Sequence, residues 1–393
     1  MNRAMPVLHH HQADATLFAS VVALSAIGLV MVYSASSVVA YDRLADSAYF
    51  LKRQAAWIAL GFAALWLARS TYYHRLRVFT VPFLVLAGLL LIAVLVPGVG
   101  RVAGGARRWL VAGPLSFQPV EMAKVALVLY LAQFLVQRGI SIRNLRRGVL
   151  PPIAITAGLA ALVLRQPDMG SAVVLGAVTM GLLFAGGARI IHLMLIGLAA
   201  TPAVILAITV ATYRFQRILA FLDPWRDPRG TGFHIIQSLL AFGSGGLFGV
   251  GLGASRQKFF YLPEQHTDFI FAILGEELGL LGTLGLLALF ALFAYRGLRI
   301  ARAAPDRYGT LLASGITMLV AGQALMNIGV ATGVLPVTGV PLPFVSFGGT
   351  SLVMTMMLMG ILLNISQYAR VEAGAVAQPR PDAGSPARAL GSS

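Results

Sequence analysis

The chain has 393 residues, 58% of them hydrophobic and 11% charged, with a mean hydropathy of +0.81 and no cysteine. A soluble domain carries about 25% charged residues, so this composition excludes an ordinary soluble enzyme, and the lack of cysteine excludes a disulfide framework or thiolate metal site. The net charge of +16 would suit nucleic acid, but arginine-rich loops between membrane spans explain much of it more simply, and no nucleic-acid partner is expected.

The apolar residues come in blocks of about 20, the length a helix needs to cross a bilayer. A barrel would alternate every second residue over about ten positions, and these blocks do not. The expected fold is an all-α polytopic membrane protein with ten spans: 16–38, 50–68, 77–96, 119–137, 149–165, 170–187, 190–211, 268–295, 309–330 and 350–368. Ahead of the first lies the run His9, His10 and His11, which fits metal binding or no role at all. The first block is long enough to stay in the membrane, so no cleavable signal is expected. Residues 1–370 form the transmembrane domain. The tail 371–393, rich in Ala, Pro, Gly and Ser, reads as disordered.

Lys and Arg in short loops set orientation. Arg69, Arg75 and Arg77 share one loop, Arg138, Arg143, Arg146 and Arg147 a second, and Arg296, Arg299, Arg302 and Arg307 a third. These loops read as cytoplasmic, and an even number of spans then places both termini there. The opposite face collects most of the acids and a second set of cations. It includes the longest loop, 212–267, between spans seven and eight. Its aromatic and apolar stretches predict a folded segment, part of it re-entrant or interfacial helix. Six glycines from Gly243 to Gly253 supply possible hinges for a lid over a site.

Four motifs carry chemistry on that face. In "GARRWLVAGPLSFQPVEMAK" (105–124), Pro119 can start a helix. Glu121 and Lys124 then lie three apart on one face, as a buried ion pair or as a ligand-facing lysine with its partner. Arg107, Arg108 and Trp109 suit either an interfacial belt or a phosphate clamp with an aromatic platform for sugar. In "RQPDMGSA" (165–172), Asp168 either caps the next helix or faces substrate. In "GVLPVTGVPLPFVSFGGTSL" (333–352), irregular backbone at membrane depth is tolerated only when buried or lining a wet cavity. There Ser346, Gly348 and Gly349 offer hydroxyl and N–H groups to phosphate or sugar.

The fourth motif is "YLPEQHTDFIFAILGEELG" (261–279). Thr267 is a candidate N-cap, which puts Asp268 in the first helical turn, where the dipole favours its carboxylate. Glu276 lies eight residues on, about 12 Å deeper. That is too far to act with Asp268 on one bond, which needs roughly 5–10 Å. The pattern is one base at the mouth with two buried acids, Glu276 and Glu277, of open role.

These motifs, with "QKFFYLPEQHTDF", "FLDPWRDPRGTGFHIIQSL", "MVYSAS" and "NIGV", closely resemble the SEDS family (shape, elongation, division and sporulation) over about 17–368. The resemblance is nearer its cell-division and sporulation branches than its rod-elongation branch. Val120 stands where many relatives have Ser, and His234 precedes Ile-Ile where relatives often have Tyr-Gln; neither is expected to touch the chemistry. The resemblance implies ten transmembrane helices and a peptidoglycan glycosyltransferase acting on lipid II and the nascent glycan chain. It also implies a class B penicillin-binding protein and other divisome proteins as partners, in the bacterial plasma membrane at the septum. An older proposal for this branch is lipid II flipping, and a third reading is a non-catalytic divisome scaffold that only positions its transpeptidase.

Asp268 matches the acidic residue taken as catalytic in the family. Substrate contacts are expected from the motif residues above, with His266 and Thr267 beside the base and Arg256 and Lys258 ahead of it. A transfer with a diphosphate leaving group needs one base and several cations. A divalent cation, Mg or Mn, would fit between the diphosphate and Asp168 or Glu264, but no ligand spacing predicts one.

Overall fold

The computed structural model describes residues 12–103, 105–113, 115–258 and 266–368. The proposed tail and the His9–His11 run lie outside them, as does Glu264. Asp14 opens the first helix, its carboxylate accepting the Leu17 N–H at 2.8 Å. The helices are α1 Ala15–Leu44, α2 Tyr49–Ser70, α3 Leu76–Ala93, α4 Pro119–Arg138, α5 Leu150–Arg165 and α6 Met169–Ala185. After α7 (Ile190–Thr209) come two shorter ones, α8 Thr212–Leu222 and α9 Phe233–Gly245. The last three are α10 Ile270–Ala303, α11 Arg307–Ala331 and α12 Gly349–Gln367.

All ten expected spans are helices here, and α8 and α9 occupy the long loop. Among the described residues, eight helical stretches are long and apolar enough to cross a membrane by themselves. The apolar α6 is shorter, at 17 residues. α2 begins with a polar turn, Lys52, Arg53 and Gln54, and packs along α12. α4, α11 and α12 are the most enclosed helices, whereas α7 has no buried residue.

The mostly helical fold carries one small addition. Between α3 and α4 lies a three-stranded antiparallel sheet, β1 Gly100–Ala103, β2 Ala106–Ala112 and β3 Leu115–Phe117, in that order. Gly105 turns between the first two strands with φ +75°, a value open to glycine at no steric cost. The strands are short and sit between two strong apolar blocks, which masks their period of two.

Another feature is a break in α10. Gly279 has φ +66° and ψ −162°, so the helical hydrogen bonds cannot run through it. The freed groups pair with the segment after α9. Val250 and Gly251 donate to the carbonyls of Glu276 and Glu277, both at 3.0 Å, and Leu280 and Leu281 donate to Gly246 and Leu247 at 2.9 and 3.2 Å. No backbone group in this exchange is left unsatisfied at depth, the condition for a break inside a membrane. The glycine-rich segment after α9 is thus stitched into the break in α10.

Candidate functional site

Asp268 lies in a turn, not in a helix. α10 starts at Ile270 with Phe269 at its N-cap, and no side chain caps it. Thr267 is therefore not the cap, and the dipole argument for Asp268 gives way to another kind of control. Three successive carbonyls are each held. The His266 carbonyl accepts the Phe347 N–H at 2.9 Å, Thr267 accepts the Ser346 hydroxyl at 2.6 Å, and Asp268 accepts the Asn327 side-chain amide at 2.8 Å. The same Asn327 amide donates to Val340 at 2.8 Å, and Ser346 Oγ accepts the Leu342 N–H at 2.9 Å. The irregular 333–348 segment is thus a bracket for the backbone on either side of the carboxylate.

Ser346 is accordingly a positioning residue, its hydroxyl already engaged, where sequence suggested phosphate or sugar contact. Asn327 opens the NIGV motif quoted above, but an isolated Asn inside an apolar helix gives no local signal of what it bonds. Asn327→Ala is expected to lower turnover about 100-fold, the effect of a misplacement of about 1 Å at a reacting group. Substrate binding should change little. The pair of measurements is initial rate and binding to the purified variant; an unchanged rate would remove the bracket's role.

Asp268 and Phe269 line a cavity of about 660 Å³ together with Arg108, Arg217, Tyr213 and His234. A Cβ built on Gly339 would lie 3.6 Å from Asp268 Oδ2 and 3.9 Å from Arg108 Nη1, so carboxylate and guanidinium converge beside this glycine. Arg108 is fixed by donating from Nε to Gln166 O at 2.9 Å and from Nη2 to Pro167 O. Arg217 comes from α8 and donates to Val337 O at 3.3 Å. Its pKa is lowered, first by burial and then by the Arg108 charge, against the pull of Asp268, Tyr213 and Asp168. Burial first, and the Arg108 charge second, thus disfavour the charged Arg217 guanidinium, and an anion bound in the cavity would offset both.

Strand alternation separates two sites. β2 directs Ala106 and Arg108 to the Asp268 cavity, and Trp109 and Val111 to a second cleft of about 470 Å³. The cleft is lined also by Arg53, Trp57, Arg101, His266, Thr267, Phe347, Gly348 and Gly349. Gly348 and Gly349 are the N-cap and first residue of α12, so an uncapped helix N-terminus faces this cleft. The Trp57 indole lies against Gly349, where a Cβ would fall 2.3 Å from the ring. The turn 266–268 thus borders a cation-and-carboxylate cavity on one side and a cation-and-aromatic cleft on the other.

Other expected contacts lie elsewhere. Asp168 is buried, and its two oxygens accept the Ser171 N–H at 3.0 Å and hydroxyl at 2.8 Å, so it caps α6. Lys258 is buried too. Its ammonium donates to Gly253 O and lies 3.7 Å from Glu277 Oε1. Arg256 is exposed, and its N–H bonds Glu276 Oε1 at 3.0 Å. Arg107 lines neither cavity. Ser34 Oγ donates to Glu277 at 2.6 Å, while Ser255 Oγ and the Gln257 N–H donate to Glu276. Glu276 and Glu277 therefore clamp the 253–258 segment into the break in α10. His234, expected to be remote, is in the Asp268 cavity, its ring stacked on Phe269 at 5.7 Å. Among the described residues no group of three His, Asp or Glu side chains is placed to hold a metal ion.

Glu121 and Lys124 form the expected ion pair at 2.7 Å, with 4% and 2% exposure. They line neither cavity. Removing one charge leaves the other buried, so Lys124→Met is expected to cost about 3–5 kcal/mol of stability, read as a lower Tm in detergent. The exchange Glu121→Lys with Lys124→Glu should recover most of the Tm. If it recovers full polymerisation as well, Lys124 has no ligand role; if Tm returns without activity, the lysine also meets substrate.

Helices, sheet and paired cavities together define a polytopic membrane protein with a guanidinium-rich carboxylate site at one end of its bundle. The chain belongs to the FtsW/RodA/SpoVE family, whose model, described as a cell cycle protein, matches residues 14–371. It is 45% identical over 347 residues to stage V sporulation protein E of Bacillus subtilis, covering 88% of this chain and 95% of that one. It is also 45% identical over 353 residues to the probable peptidoglycan glycosyltransferase FtsW of Trichlorobacter lovleyi, covering 90% and 93%. A solved peptidoglycan synthase complex contains a chain 35% identical with a TM-score of 0.75, covering 90% and 97%. The rod shape determining protein RodA of Thermus thermophilus is 32% identical with a TM-score of 0.65, covering 90% and 96%.

Proposed function

We propose that this chain is a peptidoglycan glycosyltransferase that polymerises lipid II on the outer face of the plasma membrane during cell division. The observation that carries this reading is the Asp268 carboxylate sharing a cavity with two mutually repelling arginines, Arg108 and Arg217, while the cavity's other carboxylate, Asp227, accepts the Gly230 and Thr231 N–H groups at 3.1 and 2.9 Å. Asp268 takes the proton of the acceptor sugar hydroxyl as its oxygen bonds the donor's anomeric carbon. The bond from that carbon to the donor's diphosphate breaks, and the diphosphate leaves as an anion held by the arginines. Both substrates carry a diphosphate, and the second cleft, with Arg53, Arg101 and its tryptophans, suits the other lipid's diphosphate and sugars.

The arginine-rich loops lie at the opposite end of the helices from Asp268, which supports a cytoplasmic position for both termini. The partner in this reading is a class B penicillin-binding protein of the septum. α8 contributes Arg217 to the cavity wall, so movement of the 212–267 segment would alter the anion site directly.

The rival is a flippase, for which transporters offer a site near the membrane midplane; these ionisable groups gather at one end instead. Proteoliposomes loaded with labelled lipid II on the inner leaflet separate the two. Strand formation only from outer-leaflet lipid, with no accelerated crossing, is expected. Accelerated crossing without strands would assign transport.

A further inference from the structure

At the end of the bundle opposite Asp268, between the α4–α5 connection and the start of α7, lies another cavity of about 540 Å³. Arg143, Arg146, Arg189 and His192 line it, with Asn144 at one wall and no carboxylate among the lining residues. Three arginines elsewhere on this face are engaged. Arg296 pairs with Asp14 at 2.5 Å, Arg307 donates to Gly186 O at 2.7 Å, and Arg77 lies over the Tyr308 ring at 4.3 Å. Arg143, Arg146 and Arg189 enter no salt bridge among the described residues. His192 adds a buried Nδ1 without a hydrogen-bond partner.

The backbone is arranged to the same end. Asn144 Oδ1 accepts the Arg146 and Arg147 N–H groups at 3.0 and 3.3 Å, which fixes the turn that carries the arginines. Arg189 is the N-cap residue of the 20-residue α7, and no side chain caps that helix. Its free N–H groups and dipole add to the positive potential. Three guanidiniums around one cavity repel one another, and a tetrahedral anion is the group that relieves them through paired N–H donors.

The surroundings say which anion. Ile140, on the rim, is 86% exposed, and Ile190, Ile191 and Met194 on α7 are 61%, 56% and 65% exposed. A cationic cavity beside bare apolar helix surface matches an amphiphile, with its phosphate in the cavity and its chains along α7. We propose that this cavity binds the headgroup of an anionic phospholipid from the leaflet on its side of the membrane. The inference stands apart from the polymerase reading, since it uses none of its residues.

The test uses the purified full chain in neutral detergent, with bound phosphatidylglycerol and phosphatidylcholine compared by native mass spectrometry. Each arginine near a headgroup contributes about fivefold in affinity. Phosphatidylglycerol is expected to be retained over phosphatidylcholine by about tenfold or more. Arg143→Gln, Arg146→Gln and Arg189→Gln together should abolish the preference. If that triple variant does not insert, Arg189→Gln alone, which leaves the other loop charges in place, should reduce it about fivefold. An unchanged preference in the variants overturns the proposal. So does an equal loss in Arg299→Gln with Arg302→Gln, which would show a response to overall charge. Displacement of phosphatidylglycerol by millimolar inorganic phosphate would overturn the lipid assignment and give the cavity to a free anion.

Discussion

Asp268→Asn will fold as the parent does and form no glycan strands. The substitution keeps the size of the side chain and removes its basicity. The backbone bracket acts on the carbonyls of His266, Thr267 and Asp268, held by Phe347, Ser346 and Asn327, and none of those bonds involves the carboxylate. The anion site also keeps Arg108 and Arg217, so lipid II binding should persist. A general base contributes about 100- to 10,000-fold to rate, which sets the size of the fall. The measurement is the initial rate of lipid II consumption with a parallel Tm. A parental rate would remove Asp268 from the chemistry, and a collapsed Tm would show that the residue is structural.

Gly279→Ala will cost most of the protein's stability, although it adds a single methyl group. The residue sits at φ +66° and ψ −162°, a conformation essentially confined to glycine. A Cβ there would fall 2.3 Å from Gly249 N and 2.6 Å from Leu247 O. Either the glycine-rich segment leaves the break, exposing the carbonyls of Glu276 and Glu277, or the helix shifts. Backbone strain alone costs about 1–3 kcal/mol, and the lost pairing adds to it. Gly285→Ala in the same helix is the control, since a Cβ there meets nothing within 4 Å. Hydrogen exchange of the 246–258 amides should rise sharply in the first variant and stay at the parental level in the second. Equal behaviour of the two would mean that the break is not stitched as described.

Most of the ten expected spans were legible because about 20 apolar residues in a row is a signal a segment carries by itself, and eight of the described helical stretches meet it. The site was legible in part. Asp268, Arg108 and Trp109 were singled out from charge in an apolar setting, and they border the two cavities. What failed depended on which neighbour a side chain meets. Lys258 reads as a free cation until Glu277 and Gly253 O are placed beside it. Asp168 reads as either a cap or a ligand until its bonds to Ser171 are placed, and Ser346 reads as a ligand until its bonds to Leu342 and Thr267 are. His234 looked remote because it is 34 residues from Asp268 in sequence, and α9 folds back to stack it on Phe269. The sheet was missed for a different reason, since strands of three to seven residues give periodicity little length in which to show.

The central claim is that this chain itself joins sugars at the Asp268 cavity. Its most direct test is strand formation from lipid II by the purified protein with its class B partner, the partner's transpeptidase blocked by a β-lactam. The account predicts a ladder of uncrosslinked glycan strands, lost in Asp268→Asn and strongly reduced in Arg108→Ala with Arg217→Ala. Strands formed equally well by Asp268→Asn, or none from a folded parent that binds lipid II and its partner, would contradict it.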